Sequence, residues 1–178
     1  MNKLFVFVVM LYLGLFFDNF NIFRYCILSS ILHEIGHVIA YSLCTGKFPK
    51  IEVSVFGFKI KNNVLQPENL IFILISGPLM NLLAVILVMI LIKKQATFNL
   101  YIFGIINLII FVFNILPVYY LDGGQILYCF SEFYQRNYIK ISVLTLILLS
   151  VMLICFTDVS VLFLLFPIYF ICNSLNDI

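Results

Sequence analysis

The chain has no tryptophan, only two histidines, and charged side chains at just 10% of its 178 positions, against a hydrophobic content of 64%. That balance leaves too little polar surface for a soluble domain and implies an integral membrane protein. No block of basic residues offers a footprint for nucleic acid. The net charge of +2 carries little information, because the placement of basic residues, not their sum, sets membrane orientation. The five cysteines, Cys26, Cys44, Cys129, Cys155 and Cys172, are odd in number, scattered through apolar stretches, and contain no C-x-x-C pair. They read as membrane-packed free thiols and not as a disulfide framework. The apolar stretch 4–17 follows Lys3 but precedes Asp18-Asn19 without a small-x-small cleavage site, so it reads as a retained, rather short, first span.

Hydropathy adds about five further spans of roughly 20 residues, over 22–45, 69–92, 98–116, 138–156 and 159–174. The expected fold is an all-α polytopic membrane protein of about six transmembrane helices, a single membrane-embedded domain over 1–178 with its functional core in about 22–135. Six spans put both termini on one side. A cytoplasmic N-terminus would gather Lys3, Lys47, Lys50, Lys59, Lys61, Arg136 and Lys140 on that side, leaving Arg24, Lys93 and Lys94 opposite, which is the arrangement the positive-inside rule favours.

Both histidines fall within one motif, His33-Glu34-Ile35-Gly36-His37, inside an apolar run. On a helix, residues i and i+4 share a face, so two imidazoles can reach one metal ion while Glu34, about 100° round, leans toward the adjoining space and can act as a base toward water. H-E-x-x-H also arises by accident on solvated helix faces. Here the neighbours are Ile31, Leu32, Val38 and Ile39, and a carboxylate deep in a bilayer span costs at least about 2.5–3.5 kcal/mol, so polar groups at that depth mark a working site. If span two ends near Thr45, His37 lies eight residues before that end, which would place a metal roughly 12 Å below the cytoplasmic surface.

Zinc sites of this kind use three protein ligands and leave a position open. With no third histidine, the remaining ligand must be a carboxylate or a thiolate. Asp122 stands apart from the other acids: it follows Pro117, which should stop or kink the preceding helix, and precedes Gly123 and Gly124, which permit close backbone approach. A plain turn would use the same residues. Ionised Asp122 and Glu34 would balance a divalent ion held by two neutral imidazoles. A cysteine thiolate would balance it equally, but no cysteine here carries such Pro and Gly signals.

Residues 46–68 do not read as helix. Ile51, Val53 and Val55 alternate with polar residues, then Phe56, Phe58 and Ile60 do so in the opposite parity, which predicts a short β ribbon with a bulge or bend near Gly57. Such an edge could cover the membrane surface, or pair through Ile51, Val53 and Val55 with an unwound substrate segment. Ser76-Gly77-Pro78-Leu79-Met80-Asn81 interrupts span three; a packing kink accounts for Gly77 and Pro78, whereas Asn81 and, in span four, Asn114 place amides where hydrocarbon penalises an unsatisfied group. Either amide could hold a substrate carbonyl or brace neighbouring helices.

The three segments H-E-I-G-H, S-G-P-L-M-N and N-I-L-P-V-Y-Y-L-D-G-G, in that order between about residues 31 and 125, resemble the signatures of the site-2 proteases, intramembrane zinc metalloproteases. The resemblance implies one zinc ion per chain held by His33, His37 and Asp122, Glu34 as the water-activating base, and cleavage of single-span membrane proteins in or beside their transmembrane segment. It further implies a bacterial cytoplasmic membrane enzyme whose substrate is a regulator such as a sigma-factor precursor or an anti-sigma factor, with the lipid bilayer and no nucleic acid as its surroundings. The 23 residues 46–68 are too few for the PDZ domain many relatives carry there, and no CBS domain follows the last span, so the chain resembles a minimal core similar in layout to the sporulation branch. The reading from another class is a non-hydrolytic zinc-binding or metal-transporting membrane protein. It leaves Glu34 without a task, and neither a second site nor repeated halves support it.

Overall fold

The computed structural model describes Asp18 and residues 21–49, 51–54, 57–60 and 66–156, of which 51–54, 57–60 and 153–156 are described for their backbone only. The expected spans over 4–17 and 159–174 lie outside the described residues. Among the described residues the protein is built from five helices, α1 (Ile22–Thr45), α2 (Pro67–Ile92), α3 (Phe98–Ile115), α4 (Asp122–Phe130) and α5 (Glu132–Phe156). Three of them, α1, α2 and α3, are long and apolar enough to cross a membrane. Helix is the outcome that unbroken apolar runs dictate in hydrocarbon, where each backbone N–H and C=O must be satisfied within its own segment.

The ends of α1 show how the chain enters and leaves such a segment. Asp18 reaches past Asn21, itself left-handed at φ 58°, and accepts the backbone N–H groups of Phe23 at 3.1 Å and Arg24 at 2.9 Å. Two orphan donors and the positive helix end are thereby matched by one carboxylate. At the other end Gly46, at φ 66°, donates to the Ser42 carbonyl at 2.9 Å and closes the helix in the left-handed conformation that glycine adopts without penalty.

Between α1 and α2 the backbone of Ile51–Ser54 (β1) pairs antiparallel with Gly57–Ile60 (β2). Ile51 stands opposite Ile60 and Val53 opposite Phe58. This register pairs odd with even positions. Val55 and Phe56, between which the apolar parity switches just before the bulge or bend expected near Gly57, lie outside the described residues.

The described helices divide between two compact units, one comprising Met1–Val64 with Ser76–Val112, the other Leu65–Ile75 with Phe113–Ile178. In the first unit α1 is inverted relative to a soluble helix. Its buried residues, Ser29, His33, Gly36, His37, Ala40 and Tyr41, are small or polar for the most part and recur every three or four positions. The outer face carries an exposed apolar stripe of Leu28, Ile31, Ile35, Ile39 and Leu43. Apolar side chains that face lipid contribute nothing by being buried, so helix contacts select small and polar residues instead. Gly36 is the close approach: a Cβ there would strike the Ser76 carbonyl and stand 2.7 Å from Met80 Cγ.

The second unit contains the loop after α3, the short helix α4 and α5. Hydropathy leaves the stretch after Pro117 irregular and begins the next span at 138; the structure instead forms α4 at Asp122 and starts α5 at Glu132. Ser131 explains the break between them, because its side-chain oxygen accepts the Tyr134 N–H at 3.2 Å and so caps α5 well before hydropathy rises.

Candidate metal centre

His33 and His37 lie one turn apart on the buried stripe of α1, both 7% exposed. Their rings meet edge to face, with centroids 4.7 Å apart, and the two Nε2 atoms are separated by 3.1 Å. Two nitrogens bound to one tetrahedral zinc at about 2.0–2.1 Å stand about 3.3 Å from each other. The pair is therefore already spaced close to the bite of a single ion.

Helix α2 shapes this pair with two residues that are also one turn apart, Gly77 and Asn81. A Cβ on Gly77 would collide with Nε2 and Cε1 of His37 and would lie 2.9 Å from Cε1 of His33, so the imidazoles occupy the space that glycine leaves open. Asn81 Oδ1 lies 2.8 Å from His33 Nδ1. An outer partner on the far ring nitrogen is the arrangement that orients a ligating histidine, leaving its Nε2 to face the site. The residues fit a metal: imidazole donors converge, one is held by a buried amide, and the adjoining helix supplies room and not bulk.

Asn81 is fully buried, and its Nδ2 hydrogens go to the Ser29 carbonyl at 3.1 Å and Asn107 Oδ1 at 2.9 Å. With Oδ1 on His33, the amide is engaged within the protein on both ends, which makes it a brace between helices. The sequence pattern does not single out Asn107 or Ser29. Both are 0% exposed, and Asn107 Nδ2 donates to Ser29 Oγ at 2.9 Å and to the Phe103 carbonyl at 2.8 Å. Spacing holds a faint signal: Ser29 lies one turn before His33, and Asn107 lies two turns before Asn114 in an apolar span. Glu34 follows His33 on α1 and is half-buried. Pro78 is buried inside α2, where it removes a backbone donor but does not end the helix.

In the second unit Asp122 is the first residue of α4 and is 8% exposed. The loop leading to it is pinned at three points. Tyr134 Oη donates to the Pro117 carbonyl at 3.0 Å, the Tyr119 N–H donates to Ser142 Oγ at 3.0 Å, and the Leu121 N–H donates to the Val118 carbonyl at 2.8 Å. The two glycines after Asp122 let the loop fold back on the helix: a Cβ on Gly123 would meet the Ile115 carbonyl, and one on Gly124 the Val118 carbonyl with Tyr119 N at 2.7 Å. Tyr119 packs against Tyr120, Tyr128 and Tyr138. Burial, then the neighbouring phenols of Tyr128 and Tyr138, push its own phenol above the ordinary tyrosine range, so it stays neutral. Asn114 lies half-buried on the last turn of α3. The strand positions Ile51 and Val53 lie on β1, and Val55 is outside the described residues.

Among the described residues, His33 and His37 in the first unit and Asp122 in the second are each buried and each carries a donor atom of the kind that binds a metal ion. Residues 91–157 match the family model of Peptidase family M50, a match consistent with the resemblance to site-2 proteases. No curated protein matches the chain. Of the three sequence signatures only the one over 114–124 lies within the matched residues; H-E-I-G-H and S-G-P-L-M-N lie outside it and point the same way independently. The apolar helices and this match make the chain an integral membrane protein similar to metal-dependent peptidases.

Proposed function

We propose, with the match to peptidase family M50 as premise, that this protein is an intramembrane zinc metalloprotease which hydrolyses peptide bonds in or near the transmembrane segment of single-span membrane proteins. The observation that carries the reading is the histidine pair: two buried Nε2 atoms 3.1 Å apart, in a helix apolar enough to span a bilayer, with the far nitrogen of one held by an amide. A transporter or storage site accounts for the pair but not for the Glu34 carboxylate set between them in sequence.

One zinc ion would be held by His33, His37 and Asp122; when bound it supplies Lewis-acid polarisation and a water acidic enough to lose a proton near neutral pH. Glu34 is the general base. Its carboxylate takes a proton from the attacking water as the new C–O bond forms, and returns it to the amide nitrogen as the C–N bond breaks, giving a carboxylic acid and an amine, between which the remaining water proton then passes to leave carboxylate and ammonium. His33 is kept in one orientation by Asn81 throughout. A helical substrate hides each carbonyl in a bond to the residue one turn on, so the segment must unwind before attack. Pairing of an unwound segment with the edge of β1 would hold it extended. The substrates that suit a bacterial cytoplasmic membrane enzyme of this kind are membrane-tethered transcriptional regulators, sigma-factor precursors or anti-sigma factors, cut with both enzyme termini on the cytoplasmic side.

The test is mass spectrometry of products from candidate single-span proteins, comparing wild type with Glu34→Gln. Cleavage should vanish in the variant while zinc content stays near the wild-type level, because the amide keeps the size of the side chain but cannot take a proton. Retained cleavage together with zinc loss would overturn the role of Glu34.

A further inference from the structure

The polar side chains behind His33 form a single directed chain of hydrogen bonds whose sense is fixed by two backbone carbonyls. The Phe103 carbonyl can only accept, so the end of Asn107 lying 2.8 Å from it is the NH2 group and its oxygen faces Asn81. The Ser29 carbonyl likewise can only accept, so the end of Asn81 at 3.1 Å is its NH2 group. Asn81 therefore turns its oxygen to His33 Nδ1 at 2.8 Å. Two acceptors cannot bond, so Nδ1 carries the hydrogen and, in the neutral ring, Nε2 keeps its lone pair. The 3.1 Å contact between the two Nε2 atoms agrees, since one of them must then be the acceptor.

We infer that Asn107 is a positioning residue for His33, acting through Asn81 to hold the imidazole in the Nδ1–H form with Nε2 presented to the site. The inference rests on the metalloprotease reading only for its use; the relay itself is a property of α1, α2 and α3. Ser29, Asn81 and Asn107 are all 0% exposed, so no water can take over a broken link without a rearrangement. Asn107 occupies the Asn81 hydrogens jointly with the Ser29 carbonyl; with Asn107 lost, one buried hydrogen has no acceptor and the amide is free to turn. Outer partners of this kind hold a ligating histidine's tautomer, and their loss lowers metal affinity.

Because the chain has only two histidines, [15N]histidine labelling reports these two rings alone. The full chain in lipid nanodiscs, metal-free and at a pH where both rings are neutral, should show His33 as the Nδ1–H tautomer. Asn81→Leu and Asn107→Leu should each move it toward the Nε2–H form that imidazole prefers in water. Cobalt affinity, read from its visible absorption in competition with a chelator, should fall by about 10–100-fold in Asn81→Leu and by roughly tenfold in Asn107→Leu. The double variant should bind no more weakly than Asn81→Leu alone, because the two residues act in series. Val88→Ala, a packing change on the same helix as Asn81, should leave tautomer and affinity unchanged; equal changes there would reduce the relay to general stability and overturn it. If Asn107→Leu does not fold, Asn107→Ser, too short to reach Asn81, serves as the same arm. A wild-type tautomer and affinity in either folded variant, or losses that simply add in the double, would overturn the inference. Wild-type protein that takes up no cobalt while His33 remains Nδ1–H would overturn the metalloprotease reading and leave the relay standing.

Discussion

Gly77→Ala separates the shape of the site from the stability of the fold. The added Cβ would overlap Nε2 and Cε1 of His37 and stand 2.9 Å from Cε1 of His33. Carbon atoms settle at about 3.5–4.0 Å, so even the longer of these contacts needs a shift of about 0.6 Å, and His37 must move further. A site works only when its groups are held within about 0.5 Å of the productive geometry, and a misplacement of about 1 Å costs roughly 100-fold in rate. The same substitution inside a helix should favour α2 by about 0.5–1 kcal/mol, since alanine is the better helix former. Proteolysis should therefore drop by about two orders of magnitude and metal retention should weaken, while the thermal midpoint in detergent holds or falls little. The assays are cleavage of a fixed substrate, metal content after dialysis, and a helical melting curve on the same sample. Wild-type metal content and turnover in a folded Gly77→Ala protein would refute the claim that the imidazoles fill the space above this glycine.

Asp122→Asn should lower zinc content and activity together, whereas Cys44→Ser and Cys129→Ser should change neither; full occupancy in Asp122→Asn with loss in a cysteine variant would replace the proposed ligand set. Gly124→Ala should destabilise the protein by about 1–3 kcal/mol, because the atoms in its way, the Val118 carbonyl and Tyr119 N, are backbone and cannot swing aside as a side chain can; an unchanged denaturation midpoint would refute this. Val55→Pro should impair cleavage without disturbing zinc if the ribbon pairs with substrate, since proline removes a backbone donor, while Ser54→Ala should matter much less. Normal turnover by a folded, zinc-loaded Val55→Pro protein would leave the ribbon a surface cover.

The parts of the site legible in sequence are those where several unusual residues fall at helical spacing. Two histidines four apart with Glu34 between them, in a run otherwise without charge, leave few readings, and Gly77 and Asn81, also four apart, face them from α2. Periodicity alone could not supply Asn107 and Ser29, which bond to each other across 78 positions and belong to no shared motif. Each taken singly is an ordinary polar residue in a membrane helix. Only the three-dimensional fact that both are wholly buried, beside the buried amide of Asn81, gives them a role. Helix α4 escapes hydropathy for a different reason: its nine residues mix apolar, polar and glycine positions, and a hydropathy window responds to spans and not to short helices held by a loop. The α1, α2 and α3 ranges match the sequence boundaries within about two residues, as expected where an apolar run ends abruptly in charge, glycine or proline.

A stripe of Ser29, His33 and His37 would be costly in a helix that met only hydrocarbon, and its cost explains the sequence around it. Each polar atom placed there must find a partner, and in α1 to α3 the partners come as amides, which donate and accept at once and can therefore pass one constraint to the next. The result is that His33 has a single orientation before any ligand arrives. On the proposed metalloprotease reading, this preorganisation keeps the imidazole from turning to another partner and losing its alignment with His37. Glycine at 77 and glycine at 36 serve the same end from the opposite direction, by bringing α2 close enough for Asn81 to reach the ring at all. A Cβ at either position would meet atoms of the facing helix, so the small residues of the helix contact and the polar residues of the relay belong to one interface.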